Sequence, residues 1–290
     1  MSGLLHKTLI GGSFIGMTVL AGSPAMAASL TNISLTGEAL FYEQVGSSTV
    51  RTDNPDLAVL LQGDINSPGG HIELSGTDKH SGAANFNSAT TLSGTLNGEA
   101  ITVSSLTASD WYNPYGGYDS FAQKWLLDAW TDPGVAEHIS SFIPALTPQT
   151  DLNTLSAQDW NELVLGFVTL AGHEGASRFS DPNINYVNLE DDGTVSIGLA
   201  AHLNHSSGIQ LSEVVKVVYR DQIHFLYEVG PALASGLVND QGKGADGVSH
   251  TGLYNLTIPG RPPSEPIPEP STVLGLLSIA GLGLMKRRQS

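Results

Sequence analysis

Chemistry in this sequence would have to come from a few places where ligating or proton-carrying side chains gather. His173-Glu174 begins like the H-E-x-x-H zinc motif, but Ser177 stands where the second histidine belongs, which removes that reading. His202 and His205 would share a face of a helix, yet their surroundings read as a strand running into a loop, where two surface histidines beside a turn are the plainer account. Oxygen ligands on a flexible loop suit calcium, and "NDQGKGADG" sets Asp240 and Asp246 among glycines. Glu190, Asp191 and Asp192 form a second acidic group. Neither follows the D-x-[DN]-x-[DN]-G spacing, Lys243 sits inside the first, and turn chemistry explains both. Calcium is therefore the only cofactor with candidate ligands, and no metal site is assigned.

Nucleophilic catalysis finds no support, because no G-x-S-x-G elbow occurs. The 28 acidic residues supply many carboxylate pairs that could hydrolyse a glycoside, but the mechanism depends on their separation, and no motif selects a pair. No catalytic residue is assigned. The most unusual stretch is "DWYNPYGGYD", which gathers Trp111, Tyr112, Tyr115 and Tyr118 in a turn-rich segment. Aromatic rings on an exposed loop can stack on sugar rings while their polar edges hydrogen-bond. The alternative is that one or two of them anchor the loop in the core.

The elements that hold these residues belong to a folded, turn-rich chain. Of 290 residues, 40% are apolar, 14% are charged and 33 are glycine. The formal charge of −16 repels phosphate backbones and excludes nucleic acid as a partner. There is no cysteine, so disulfides and thiolate chemistry are impossible.

Both ends carry processing signals. A weakly basic start, an apolar stretch over residues 9–20 and the small residues Ala25 and Ala27 predict a secretory signal peptide over residues 1–27, cut by signal peptidase before Ala28. At the other end, six prolines in residues 258–271 forbid a helix or a central strand, so residues 259–270 read as an extended stalk. Residues 271–285 are uncharged, and Lys286, Arg287 and Arg288 follow. As a helix that run would reach roughly 22 Å, short of a hydrocarbon core of ~30 Å, which makes residues 271–290 a brief membrane stop with the bulk outside.

Pro268-Glu269-Pro270, the Gly-rich apolar run and the terminal basic cluster resemble the PEP-CTERM sorting signal. The resemblance implies recognition by an exosortase in bacteria that make exopolysaccharide, with cutting near Pro268-Glu269-Pro270. Residues 30–260 are also similar to a group of short PEP-CTERM proteins of unestablished function. The resemblance identifies the route and not the activity; the function expected is that of an exported protein at the cell surface or beyond, structural or adhesive in an exopolysaccharide or biofilm matrix, and non-catalytic. A carbohydrate-binding module and a secreted hydrolase are the alternatives. Without the two processed ends, 27 acidic residues face 8 basic ones, a charge of about −19.

Residues 28–258 read as one α+β domain: mainly antiparallel β-sheet or sandwich with an inserted pair of amphipathic helices. In the first strands, Leu30, Ile33, Leu35, Leu40 and Tyr42 are the expected inward residues. "LAVLLQG" reads as a short buried strand. Leu92, Leu96, Ile101 and Val103 flank the turn dipeptide Asn97-Gly98, and further hairpins are expected at Asp192-Gly193 and Arg220-Asp221. A helix over "DSFAQKWLLDAW" stops at Asp132-Pro133-Gly134. Ser156 caps a second helix, with Trp160, Leu163, Val164, Phe167, Val168 and Ala171 on one face.

Overall fold

The structure, a computed structural model, describes residues 28–75, 86–143, 146–170, 175–203, 210–235 and 249–260. Ala25, Ala27, His173-Glu174, His205, Asp240, Asp246 and the sorting tail with Pro268, Glu269, Pro270, Lys286, Arg287 and Arg288 lie outside the described residues.

Strands β1 (Ala28–Ser29), β2 (Thr31–Thr36), β3 (Ala39–Val45) and β4 (Ser48–Arg51) lead to the helical turn α1 (Leu57–Leu60). A two-residue pair β5 (Gly63–Asp64) and β6 (Ser67–Pro68) precedes β7 (Gly70–Leu74), β8 (Thr91–Leu96) and β9 (Glu99–Ser104). Helices α2 (Ala108–Tyr112), α3 (Phe121–Ala129), α4 (Pro133–Phe142) and α5 (Ala157–Thr169) follow. Strands β10 (Asn183–Leu189), β11 (Val195–Ala201), β12 (Val215–Tyr219), β13 (Gln222–Leu226), β14 (Leu233–Ala234) and β15 (Gly252–Ile258) complete the series.

All pairings are antiparallel. One sheet runs β14-β15-β11-β10-β7-β3-β4 with β1 beside β10, and the other runs β13-β12-β9-β8-β2. Together they form a curled half-barrel, an α+β fold. Their facing sides meet in one apolar cluster, with Ile72, Leu74, Ile184, Ile197 and Leu256 from the first sheet and Leu92, Leu96, Ile101, Val103 and Val217 from the second. A second cluster joins the helices to the end of the smaller sheet through Trp111, Phe121, Trp125, Ile139, Phe167, Val214 and Phe225.

The three hairpins form where their turn residues predict. Asn97-Gly98 takes φ of 48° and 85° between the paired Leu96 and Glu99. Arg220 and Asp221 adopt the same left-handed turn without glycine, at φ of 52° and 60°. The Asp192-Gly193 turn is closed by Glu190 N–H donating to the Thr194 carbonyl (2.8 Å), and Asp192 accepts from Thr194 N–H (2.8 Å), so the acidic tip is turn chemistry. Helix α5 begins at Ser156, whose hydroxyl and backbone N–H both reach the Asp159 carboxylate, and it buries Leu163, Val164, Phe167 and Val168, with Trp160 half-buried.

Four expectations are corrected. "LAVLLQG" opens as helix α1 because Asp56 accepts from Ala58 and Val59 N–H. Asp132-Pro133 ends α3 but also starts α4, with Asp132 as cap and Pro133 as first residue, giving a helix where a passage was expected. The aromatic segment opens as α2, since Asp110 accepts from the Thr107 backbone N–H (2.9 Å) and hydroxyl (2.8 Å). In the first strands, Leu30, Ile33 and Leu35 point inward as expected, but Gly37 at φ 107° breaks the alternation. Ala39 and Phe41 then face the apolar cluster, and Leu40 and Tyr42 face the opposite side of the sheet.

Candidate functional site

That opposite side carries the polar chemistry. Strand β7 alternates Ile72 and Leu74 into the core with His71 and Glu73 on the other face, and cross-strand pairing sets Tyr42 against His71 and Leu40 against Glu73. Strand β10 is buried along nearly its whole length, and a register shift between Ile184 and Tyr186 lets asparagines occupy its polar face. Asn185 donates to the Gly70 carbonyl and Asn188 to that of Gly63 (2.9 Å). Tyr186 lies over Gly198, where a Cβ would stand 2.4 Å from its ring, and donates to Asn255 (2.9 Å).

At one end of this face, a cavity of about 70 Å³ is lined by Arg178, Asn183, His202, Ser212, Glu213 and His250, with Phe179, Leu199 and Tyr254 as its apolar wall. Arg178 comes from the 3₁₀ turn Gly175–Phe179, Asn183 begins β10, His202 follows β11 and Glu213 precedes β12. Glu213 is the hub. Its Oε2 accepts from the backbone N–H of Asn183 (3.1 Å) and from its Nδ2 (3.2 Å), and its Oε1 lies 3.5 Å from Arg178 Nη1. Burial lifts the Glu213 carboxyl to about 7, helped by Glu73 and opposed by Arg178 and the Asn183 hydrogen bonds. Asp181 is pushed well above the carboxylate range by burial and by the neighbouring Glu213. Glu73 is raised by burial against the hydrogen bond from Tyr42 (3.4 Å).

Beside the carboxyls runs a row of rings in contact, stacked at both ends and edge-on in the middle. Tyr42 lies on His71 with centroids 4.5 Å apart, His71 meets His250 at 4.3 Å, and His250 meets His202 at 4.4 Å. Burial, then the charge of His202, drives the His71 imidazole down to about 3. His250 falls well below the usual range for the same first reason, with His71, His202 and Arg178 adding. Both rings are thus neutral at pH 7. His71 Nε2, His250 Nδ1, Asp181 Oδ1 and Asn183 Oδ1 are buried without a protein partner. Among the described residues no three His, Asp or Glu side chains converge as a metal would need. What the arrangement can do is exchange protons at Glu213 and present acceptors to a donor.

The aromatic segment divides. Trp111 is fully enclosed, its Nε1 donating to Ser180 Oγ (2.9 Å) and its ring packed on Phe121, Trp125 and Phe167, so it has no face to offer a sugar. Tyr115 packs on Phe225 (4.8 Å) and Phe121, and its hydroxyl accepts from Phe225 N–H (3.3 Å). Tyr112 and Tyr118 remain exposed. Of the predicted metal candidates among the described residues, His202 alone lines the cavity, and Glu213, Asp181, Arg178 and His71 carry no local motif. The only local hint was asparagine recurring at 183, 185 and 188 in an otherwise apolar strand.

Among the described residues no helix is long and apolar enough to cross a membrane, and the run 271–285 lies outside them. Ala28, the residue after the expected cut, is the first residue of β1, paired with Leu189. Comparison with curated proteins and with solved structures finds no match. Residues 266–289 match the PEP-CTERM protein-sorting motif, a span that contains Pro268, Glu269, Pro270, Lys286, Arg287 and Arg288, and that motif marks the chain as an exported, exosortase-processed protein anchored to or released from the cell surface.

Proposed function

We propose that the chain, cut by signal peptidase before Ala28, threaded into the membrane through residues 271–285 and cut again near Pro268-Glu269-Pro270, works outside the cell as a structural or adhesive protein of the exopolysaccharide matrix. It carries out no catalysis and needs no cofactor. What supports the non-catalytic reading is the size of the cavity at the ionisable cluster: about 70 Å³ has room for a few waters, whereas small-molecule sites usually span some 300–1,000 Å³. A second reading, carbohydrate binding, rests on the exposed Tyr112 and Tyr118.

Intact-mass analysis of protein from envelope and culture medium tests the route. A product starting at Ala28 and ending within residues 268–271 is expected. A product retaining Lys286, Arg287 and Arg288 in the inner membrane would overturn it. Deletion of the gene should alter the mechanical properties of the matrix. Polysaccharide turnover by the purified protein, abolished by Glu213→Gln, would refute the non-catalytic reading.

A further inference from the structure

We propose that the cavity bounded by Arg178, Asn183, Glu213 and His250 binds a primary ammonium group carried on a slender alkyl stem. Three features of the lining carry this. The first is charge. Glu73, Asp181 and Glu213 stand close together beside two guanidiniums, Arg178 acting on all three and Arg51 on Glu73. His71 and His250, held neutral by burial, add no positive charge. The ionised form of Glu213, which lines the cavity, is the group that attracts a cation.

The second is the direction of its hydrogen bonds. Asn183 is 5% exposed, lines the cavity and commits its Nδ2 to Glu213, which leaves Oδ1 with no protein donor. His250 also lines the cavity with Nδ1 unpartnered, and a neutral imidazole presents one of its nitrogens as an acceptor. The lining therefore offers acceptors and asks for N–H donors. Buried acceptors without donors are costly, so a group bringing three of them is strongly favoured.

The third is size and wall chemistry. An ammonium head is about the size of a water molecule and fits about 70 Å³ with a methylene or two, whereas a sugar ring does not. Phe179, Leu199 and Tyr254 supply an apolar and aromatic wall for the stem, and an aromatic face attracts a cation. A divalent metal would need ligands converging on one point, which the described residues do not provide.

Binding is linked to protons. Glu213 is half-ionised near pH 7, so the fraction able to pair with the ammonium rises roughly tenfold between pH 6 and pH 8. The groups facing it are Arg178, Asp181, Glu73, His202, His250 and Tyr254; burial raises Asp181 and Glu73, lowers His250 and raises Tyr254 to about 12.

Calorimetric titration of the purified processed protein with n-butylammonium chloride at pH 6, 7 and 8 is the test. Saturable one-to-one binding, about tenfold tighter at pH 8 than at pH 6 and releasing a proton, is expected, and Glu213→Gln should abolish the pH dependence. If Glu213→Gln does not fold by circular dichroism, His250→Phe, which keeps a ring and removes the Nδ1 acceptor, should weaken binding instead. An equal response to potassium chloride or butanol, tighter binding of calcium, or no saturation at all would overturn the proposal. Tighter binding of glucosamine than of butylammonium would overturn the alkyl stem in favour of an amino sugar.

Discussion

His71→Phe isolates one buried titration. The ring is 1% exposed, stacked on Tyr42 and edge-on to His250, and its Nε2 has no protein partner, so phenylalanine keeps these ring contacts and removes a polar atom that burial penalises. Burial holds the folded imidazole at about 3, far below the ordinary histidine value of 6.5. A depressed value means that stability is fully present above pH 6.5 and is lost as pH falls, because the unfolded chain takes up a proton that the folded one refuses. Integrated from pH 7 to pH 5, that uptake destabilises the wild type by about 2 kcal/mol through this group alone. Glu213 and Asp181 titrate in the opposite sense over the same range, since their raised values give stability at low pH that fades as pH rises. The wild-type profile is thus a sum of opposing slopes, but the difference between His71→Phe and wild type cancels the shared groups. Urea denaturation followed by circular dichroism at pH 7, 6 and 5 should show the variant gaining about 2 kcal/mol on the wild type across that interval. A difference that stays constant with pH would refute a neutral, buried His71.

Trp111→Ala should cost about 3–5 kcal/mol in the same denaturation assay, because it empties the centre of the helical cluster, while Tyr112→Ala and Tyr118→Ala should stay within about 0.5 kcal/mol. Asp221→Gly should stabilise by about 0.5–1 kcal/mol, read as a raised thermal midpoint, since its φ of 60° suits glycine. Gly198→Ala should destabilise by about 1–3 kcal/mol, because its Cβ displaces the Tyr186 ring and with it the bond to Asn255, seen as a changed tyrosine environment in near-ultraviolet circular dichroism.

Local chemistry was legible and long-range chemistry was not. Asn97-Gly98 and Ser156 with Asp159 work within four residues of chain, so turn and cap could be read directly. Asp56 and Asp132 are also caps, but each follows or precedes a proline that reads equally well as a breaker. The polar cavity brings residue 73 together with residues 178–183, 202, 213 and 250 through strand pairings that no periodicity announces. Burial was legible only in part: "DWYNPYGGYD" reads either as a displayed aromatic loop or as one anchored by one or two rings, and a one-turn helix swings Trp111 inward and leaves Tyr112 out.

The place of β15 sets a timetable for export. This last strand lies between β14 and β11 and pairs with β11 at seven positions, from Val195↔Ile258 to Ala201↔Gly252. A chain crossing the membrane from its N-terminus delivers β11 some fifty residues before the strand that completes it. Until residue 258 emerges, β11 presents an open edge that can recruit another chain's strand. In such an order of emergence only seven residues separate the end of β15 from the sorting motif that starts at residue 266, so the strand that closes the sheet and the motif would follow one another closely.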